Sequence, residues 1–481
     1  MEDIKSSYDS VGYLSKAFYQ TLPYAQKLNM KLFGFDTKKL ENARVLEIGC
    51  SYGGNILTFA MANKNSYCVG IDLSGEQIKK GKELVDRLGV KNLELIEMDI
   101  TNFDENLGMF DYIICHGVYS WVPKNVQDAI LKVIKKHLNK NGSAVISYNT
   151  YPGWKSIEVI KDIMNFRTSY LDVDGMQKLP YGKGAMEFVK SAPYLKEVAS
   201  RVDDIMNKDD YYLYHEYFEI FNEPMYLVDF SKKLEANGLS HVSDMNYSKS
   251  FPLISDAKLQ ENIENEANGD RIIKEQYYDY YFNRQFRISL ITHSENIQNM
   301  NISNNVRKVD LDELHFRMRD SENKKFDTYD KLIKNFPNTL STSELGKEDS
   351  VYRELLLSIY NDDSMIYTEK IDVNVFNDKK IRLKPVYRKY IEYFLEEENP
   401  IIMFATFDGH SIKTENKFEY KVMLMFDGIN KKEDIYEEIL KMEIDKEIEV
   451  NAENKEKAIL EYINNVRTFL ICNNFCEKVD D

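Results

Sequence analysis

Short apolar runs alternate with stretches of helical periodicity along the first 300 residues. Strands are predicted over 44–48, 67–74, 93–100, 110–116 and 142–149, each dominated by aliphatic and aromatic residues. Between them, 56–62 and 76–88 read as helices. So does 126–138, with Val126, Ile130, Val133, Ile134 and Leu138 on one face. Ser74 is placed to cap the second helix and Gly89 to end it. Strand alternating with helix predicts a parallel sheet covered on both faces. The alternation breaks after the fifth strand. A helix over 155–170 is followed by 171–214, which reads as an insertion. The pattern resumes with a helix over 226–237 stopped by Gly238, then strands over 239–245 and 286–291. The fold class is therefore α/β, a Rossmann-like seven-stranded sheet.

Beyond it the pattern changes. Residues 294–307 hold five asparagines and read as a linker. Residues 308–384 are charged and of mixed α+β character. Helices are predicted over 431–442 and 455–472, the latter with Ile459, Ile463, Val466 and Leu470 on a core face. Three units follow: 1–300, 301–384 and 385–481. A chain of 481 residues has room for them.

The first strand carries the most specific chemistry. It runs through Glu47 into the glycine turn at Gly49 and Gly53, then into a helix. In open α/β sheets, ligands bind at the carboxyl ends of strands. Glycines there allow a tight turn and a close approach. A carboxylate at Glu47 would repel a pyrophosphate, but it suits a cationic amino acid such as the methionine part of S-adenosylmethionine. Asp72 ends the second strand, where a carboxylate can accept from both ribose hydroxyls. Asp99 ends the third and could accept from the exocyclic amine of adenine. Three acids at three consecutive strand ends mark a class I methyltransferase.

Two other readings of the turn are weaker. Gly49-Cys50-Ser51-Tyr52-Gly53 is a G-x-S-x-G string, which in α/β-hydrolases presents a nucleophilic serine. Too little chain precedes it to supply the sheet beneath such an elbow. A dinucleotide fingerprint would require Ser51 to replace the middle glycine, where the pyrophosphate needs open backbone.

The chain resembles one family of class I methyltransferases, those that carry a methyltransferase regulatory domain. The group includes rickettsial lysine methyltransferases acting on an outer-membrane protein. The similarity rests on residues 8–13, 45–55, 69–74, 110–123 and 147–154, and continues more weakly through 215–217 and 283–287. The stretches 110–123 and 147–154 are the distinctive ones. The resemblance implies a regulatory-domain-like region over about 215–300 within the first unit, and a winged-helix-like end around 425–428 and the acidic helix that follows. It also implies S-adenosylmethionine as cofactor, with S-adenosylhomocysteine as product. Glu47 and Gly49 would hold the methionine end, with Cys50, Gly53 and Asn55 around the turn. Asp72 and Leu73 would hold the ribose, Asp99 and Ile100 the adenine, and His116 and Gly117 the remaining border. Tyr13 would close over the cofactor from the N-terminal arm.

On the acceptor side, Tyr119, Trp121, Tyr148, Tyr151 and Trp154 follow the fourth and fifth strands. Both tryptophans of the chain are among them. Methyl transfer needs donor and acceptor aligned at about 3–3.5 Å. A lysine must first lose a proton, at a cost of roughly 4–5 kcal/mol at neutral pH. Desolvation among rings lowers that cost, and ring faces still attract the incoming cation. His116 reads either as a general base or as a residue whose backbone borders the cofactor. The tyrosine-rich motifs 211–217 and 277–281 resemble methyl-lysine cages, but helical packing explains them as well. No metal is implied, since His215 and Glu216 have no evident partner ligands.

Composition sets the outer bounds. A formal net charge of −16 argues against a phosphate backbone as partner and favours a neutral or basic one. Five cysteines without metal-ligand spacing suggest a reducing compartment. No apolar run is long enough to insert in a bilayer, and the start lacks signal-peptide regions. The expectation is a cytoplasmic enzyme that methylates protein lysines. The acidic tail suits protein contact or a homodimer better than DNA. Two alternatives stand beside this: a small-molecule or glycan methyltransferase with the same donor site, and a non-catalytic protein that binds S-adenosylmethionine to regulate a partner.

Overall fold

The computed structural model describes residues 14–219, 221–302, 306–318, 326–361, 364–371, 380–413 and 416–479. Seven strands form the central sheet: β1 (Arg44–Ile48), β2 (Tyr67–Asp72), β3 (Leu93–Glu97), β4 (Phe110–Cys115), β5 (Leu138–Asn149), β6 (Leu239–Asp244) and β7 (Phe286–His293). Their spatial order is β3-β2-β1-β4-β5-β7-β6. The first five pair in parallel, while β7 runs antiparallel to both β5 and β6. The order reverses between β1 and β4, so the carboxyl ends of these strands open a crevice at that point. This is the Rossmann-like class I methyltransferase sheet. β4 is buried at every position and β1 at all but its first, as strands covered on both faces require.

Local chemistry explains most element ends. The helix Gly75–Leu88 begins where the Ser74 side chain accepts from the Gln77 amide and stops at Gly89, whose φ is +72°. The helix Lys124–His137 buries Val126, Ile130, Val133 and Ile134. It ends one residue earlier than its periodicity predicts, because Leu138 already belongs to β5. That strand starts four residues ahead of its predicted beginning at Gly142.

Residues 171–214 are largely helical. Lys178–Ser191, Lys196–Met206 and Asp210–Phe218 pack with Trp154–Thr168 around a separate apolar core that includes Trp154, Met164, Val202 and Leu213. The stretch read as a linker is docked at its start. Ser294–Asn299 forms a helical turn, and the buried Asn296 side chain donates to the Lys140 carbonyl (2.8 Å) and Thr292 Oγ1 (2.9 Å).

The later residues share a core with the sheet. Residues 308–367 include a three-stranded sheet, and 381–478 include four helices and the antiparallel pair Ile381–Leu383 with Cys476–Lys478. One apolar cluster runs from Leu22 and Ile56 through Phe316 and Tyr390 to Phe475. The distal segment also holds the N-terminal arm. The Ser15 amide donates to the Ile401 carbonyl (3.0 Å), Met403 N to Ser15 O (2.9 Å), and Ala17 N to Ser411 Oγ (3.0 Å). Among the described residues, no helix is long and apolar enough to cross a membrane.

Candidate active site

The turn after β1 is built by backbone conformation. Gly49 (φ +74°), Ser51 (φ +54°) and Gly53 (φ +83°) all adopt left-handed backbone. A Cβ on Gly49 would come within 2.3 Å of Val118 Cγ2, so glycine is needed for both space and conformation. Gly53 precedes the helix Gly54–Ala62. It shapes the turn and stands outside the cavity wall.

Beside this turn lies a cavity of about 540 Å³. Its donor end is walled by Glu47, Gly49, Cys50, Ser51 and Asn55 from β1 and the turn. Asp72 and Leu73 follow from β2, Asp99 and Ile100 from the end of β3, and His116 and Gly117 from the end of β4. Apart from Gly53 and Tyr13, the predicted cofactor residues converge here. Tyr13 lies outside the described residues. Ser15, Lys16 and Phe18 of the arm complete the wall. Residue order carried no signal for them, because contacts with residues 401–411 hold the arm there.

Each acid is held differently. Glu47 lines the cavity but is only 4% exposed. Asn55 Nδ2 donates to it at 2.7 Å and the Ile56 amide at 3.1 Å, so it caps the helix Gly54–Ala62. Burial pushes its carboxyl up to about 7, against the lowering effect of those two bonds. Asp72 accepts from the Ser51 amide (2.8 Å) and the Ser74 amide (2.9 Å), one on each oxygen. Asp99 uses one oxygen to accept from the Thr101 amide (2.9 Å) and hydroxyl (2.8 Å). Ser51 Oγ is buried with no hydrogen-bond partner among the described residues. Among the described residues its hydroxyl is bonded to no histidine or carboxylate, so a hydrolase nucleophile finds no support. An unsatisfied buried hydroxyl, a carboxyl short of a countercharge and two further strand-end carboxylates fit a polar, cationic nucleoside.

His116 packs against Phe18 at a centroid distance of 4.3 Å and against Phe286 at 6.0 Å. Burial lowers its pKa to about 4, and its Nδ1 is buried without a partner among the described residues. A group so weakly basic is neutral at pH 7 and makes a poor general base.

The wall of the same cavity also includes Trp121, Asn149, Trp154, Ile157, Gln285 and Phe286, a tryptophan-lined part that forms the second chamber. Of the five predicted acceptor aromatics, only the two tryptophans reach it. They meet edge to face at 6.3 Å. Tyr119, in the helical turn Tyr119–Trp121, and Tyr148, on β5, are fully buried against Phe230 (5.5 and 4.3 Å). Tyr151 packs against Tyr226 and donates to Glu158, outside the cavity wall. Side chains at strand ends alternate in direction, which sequence position alone did not resolve.

Among the wall residues left out of the predicted site are Tyr212, His215, Glu216 and Glu219, the first three from the motif 211–217. They lie on or just after the helix Asp210–Phe218 at i, i+3, i+4 and i+7, one helical face. That spacing was the available signal. His215 Nδ1 lies 3.0 Å from Glu219 Oε1. Glu216 keeps part of its surface open, but its carboxyl is removed from solvent. Burial pushes it up to about 7, with the Tyr212 hydroxyl and the Lys161 charge acting against that rise.

Comparison with known proteins places this geometry. Residues 45–142 match a family model described as a methyltransferase domain, and residues 209–293 one described as a predicted methyltransferase regulatory domain. An uncharacterized protein of Rickettsia prowazekii is 39% identical over 237 residues, covering 48% of this chain and 94% of the relative. A second from the same organism is 36% identical over 311 residues, 63% of this chain; the match spans only 56% of that relative's length. The structure of PKMT2 from Rickettsia typhi superposes with a TM-score of 0.81 at 25% identity, covering 96% of this chain and 99% of that one. The same protein in complex with AdoHcy gives 0.80.

Proposed function

Because the chain belongs to the class I S-adenosylmethionine-dependent methyltransferases that carry a methyltransferase regulatory domain, we propose that it N-methylates lysine side chains of a protein substrate. Its cofactor is S-adenosylmethionine, which when bound supplies an electrophilic methyl group. The observation that carries the acceptor reading is the continuity of the donor cavity with a chamber walled by Trp121 and Trp154.

Glu47 and the turn at Gly49 hold the cationic amino-acid end, Asp72 the ribose hydroxyls and Asp99 the adenine amine. Ser51 Oγ supplies a further polar contact. Phe18, His116 and Phe286 exclude water from the donor end. In the second chamber, ring faces draw in an ammonium. Removal from water then lowers its pKa and frees the lone pair for in-line attack. His116 is neutral and serves as wall. The net charge of −16 favours approach of a basic protein.

The test is incubation with methyl-labelled cofactor and a lysine-rich protein, with the label located by mass spectrometry. Label on lysine Nζ is the expected result. Label confined to a small molecule or glycan would move the assignment to that acceptor class. Tight cofactor binding without turnover on any acceptor would favour a regulatory protein.

A further inference from the structure

The cavity wall contains a carboxylate that the donor site does not use. Glu216 projects from the helix Asp210–Phe218 into the same cavity as Trp121 and Trp154. Among the described residues it makes no ion pair; its ties are the Tyr212 hydroxyl and a longer-range attraction to Lys161. Lys161 itself is engaged elsewhere. Its Nζ donates to the Glu219 carbonyl at 2.8 Å and stands 5.6 Å from the Trp121 ring centroid. A carboxyl taken out of water without a cation is costly. That cost is recovered when a ligand brings a positive charge.

A second observation points into the same chamber. Trp154 is 3% exposed, and its indole Nε1 is buried with no acceptor among the described residues. A buried N–H without a partner is a vacancy for a ligand oxygen. Glu219 is already tied to His215, so the tryptophan side offers the Glu216 carboxylate, one N–H donor and aromatic walls, which fits an alkylammonium carried beside a backbone carbonyl.

Resting on the lysine reading above, we propose that Glu216 is the residue that receives the acceptor's ammonium group and so selects cationic substrates, with Tyr212 orienting the carboxylate. The other titratable groups near it are His215 and Glu219 on its own segment and Lys161 on the helix Trp154–Thr168, and the neutral His116 after β4 stands elsewhere in the cavity wall. Glu47, Asp72 and Asp99 stand at the donor end of the cavity. The raised carboxyl of Glu216 agrees with this role: ligand-free, it is partly protonated near pH 7, and an ammonium draws it into the ionised form.

The test is calorimetric titration of n-butylammonium chloride into the full chain loaded with AdoHcy, at pH 7 in two buffers of different ionisation enthalpy. The wild type is expected to bind and to release a fraction of a proton. Glu216→Gln is expected to weaken binding by about tenfold to a hundredfold and to abolish the proton release, with AdoHcy affinity unchanged. Glu216→Asp, which keeps the charge, is expected to recover part of both and guards against a folding defect. If the wild type binds n-butylammonium and Glu216→Gln binds it equally well, the assignment of Glu216 falls while the amine reading stands. If the wild type does not bind it, the amine reading falls with it.

Discussion

Glu47 links protonation to cofactor binding. Its carboxyl is raised by burial to about 7, so in the ligand-free protein the neutral form is favoured below that value. The stability this gives is fully present below the ordinary value near 4.5 and is lost as pH rises through about 7. A cationic ligand reverses the preference. Affinity for S-adenosylmethionine should therefore rise with pH through about 7, with proton release on binding, and Glu47→Gln should flatten the dependence. A pH-independent affinity between 5.5 and 8, titration values chosen about the midpoint, would contradict this. Asp72 makes a separate prediction. Asp72→Ala should weaken cofactor binding by about 1.5–3 kcal/mol, the worth of hydrogen bonds to a charged group. An unchanged dissociation constant would remove the ribose assignment.

At the scale of elements, caps and turns position the crevice. Ser74→Ala removes the side chain that accepts from the Gln77 amide and should cost about 1 kcal/mol in urea unfolding. Gly49→Ala should cost more, since it adds a Cβ at positive φ into Val118. A smaller loss for Gly49→Ala than for Ser74→Ala would contradict this account of the turn. These features are local, which is why the strand-turn-helix around Glu47, the cap at Ser74 and the acids at the ends of β2 and β3 were legible from residue order. The acceptor wall was not. Tyr119 and Tyr148 stand near the crevice in sequence, yet their rings face Phe230 in the core. Spacing puts Tyr212 and Glu216 on one helical face, but that this face walls the cavity is decided by packing of 178–218 against Trp154–Thr168, a long-range matter that spacing does not report.

At the scale of the molecule, the distal segment supports the donor site. It holds Ser15, and Ser15 Oγ accepts from the Gly54 amide at 3.0 Å, while the Phe18 amide donates to Asn55 Oδ1 at 2.8 Å. The arm that walls the cavity is thus clamped between the glycine turn and residues 401–411. A chain ending at residue 384 should lose much of its affinity for AdoHcy and expose the part of the shared apolar cluster left behind, including Leu22, Ile56 and Phe316. Calorimetry on that chain reads the first effect and a hydrophobic dye the second. Retained affinity would separate the distal segment from cofactor binding.

The account's central claim is that one continuous cavity grips the donor at the strand ends and opens its reactive carbon toward the tryptophan chamber. A crystal structure with AdoHcy bound tests it most directly. The account predicts the ribose at Asp72, the adenine at Asp99 and the sulfur directed at Trp121 and Trp154. A nucleoside bound elsewhere, or a sulfur facing away from the two tryptophans, would contradict it.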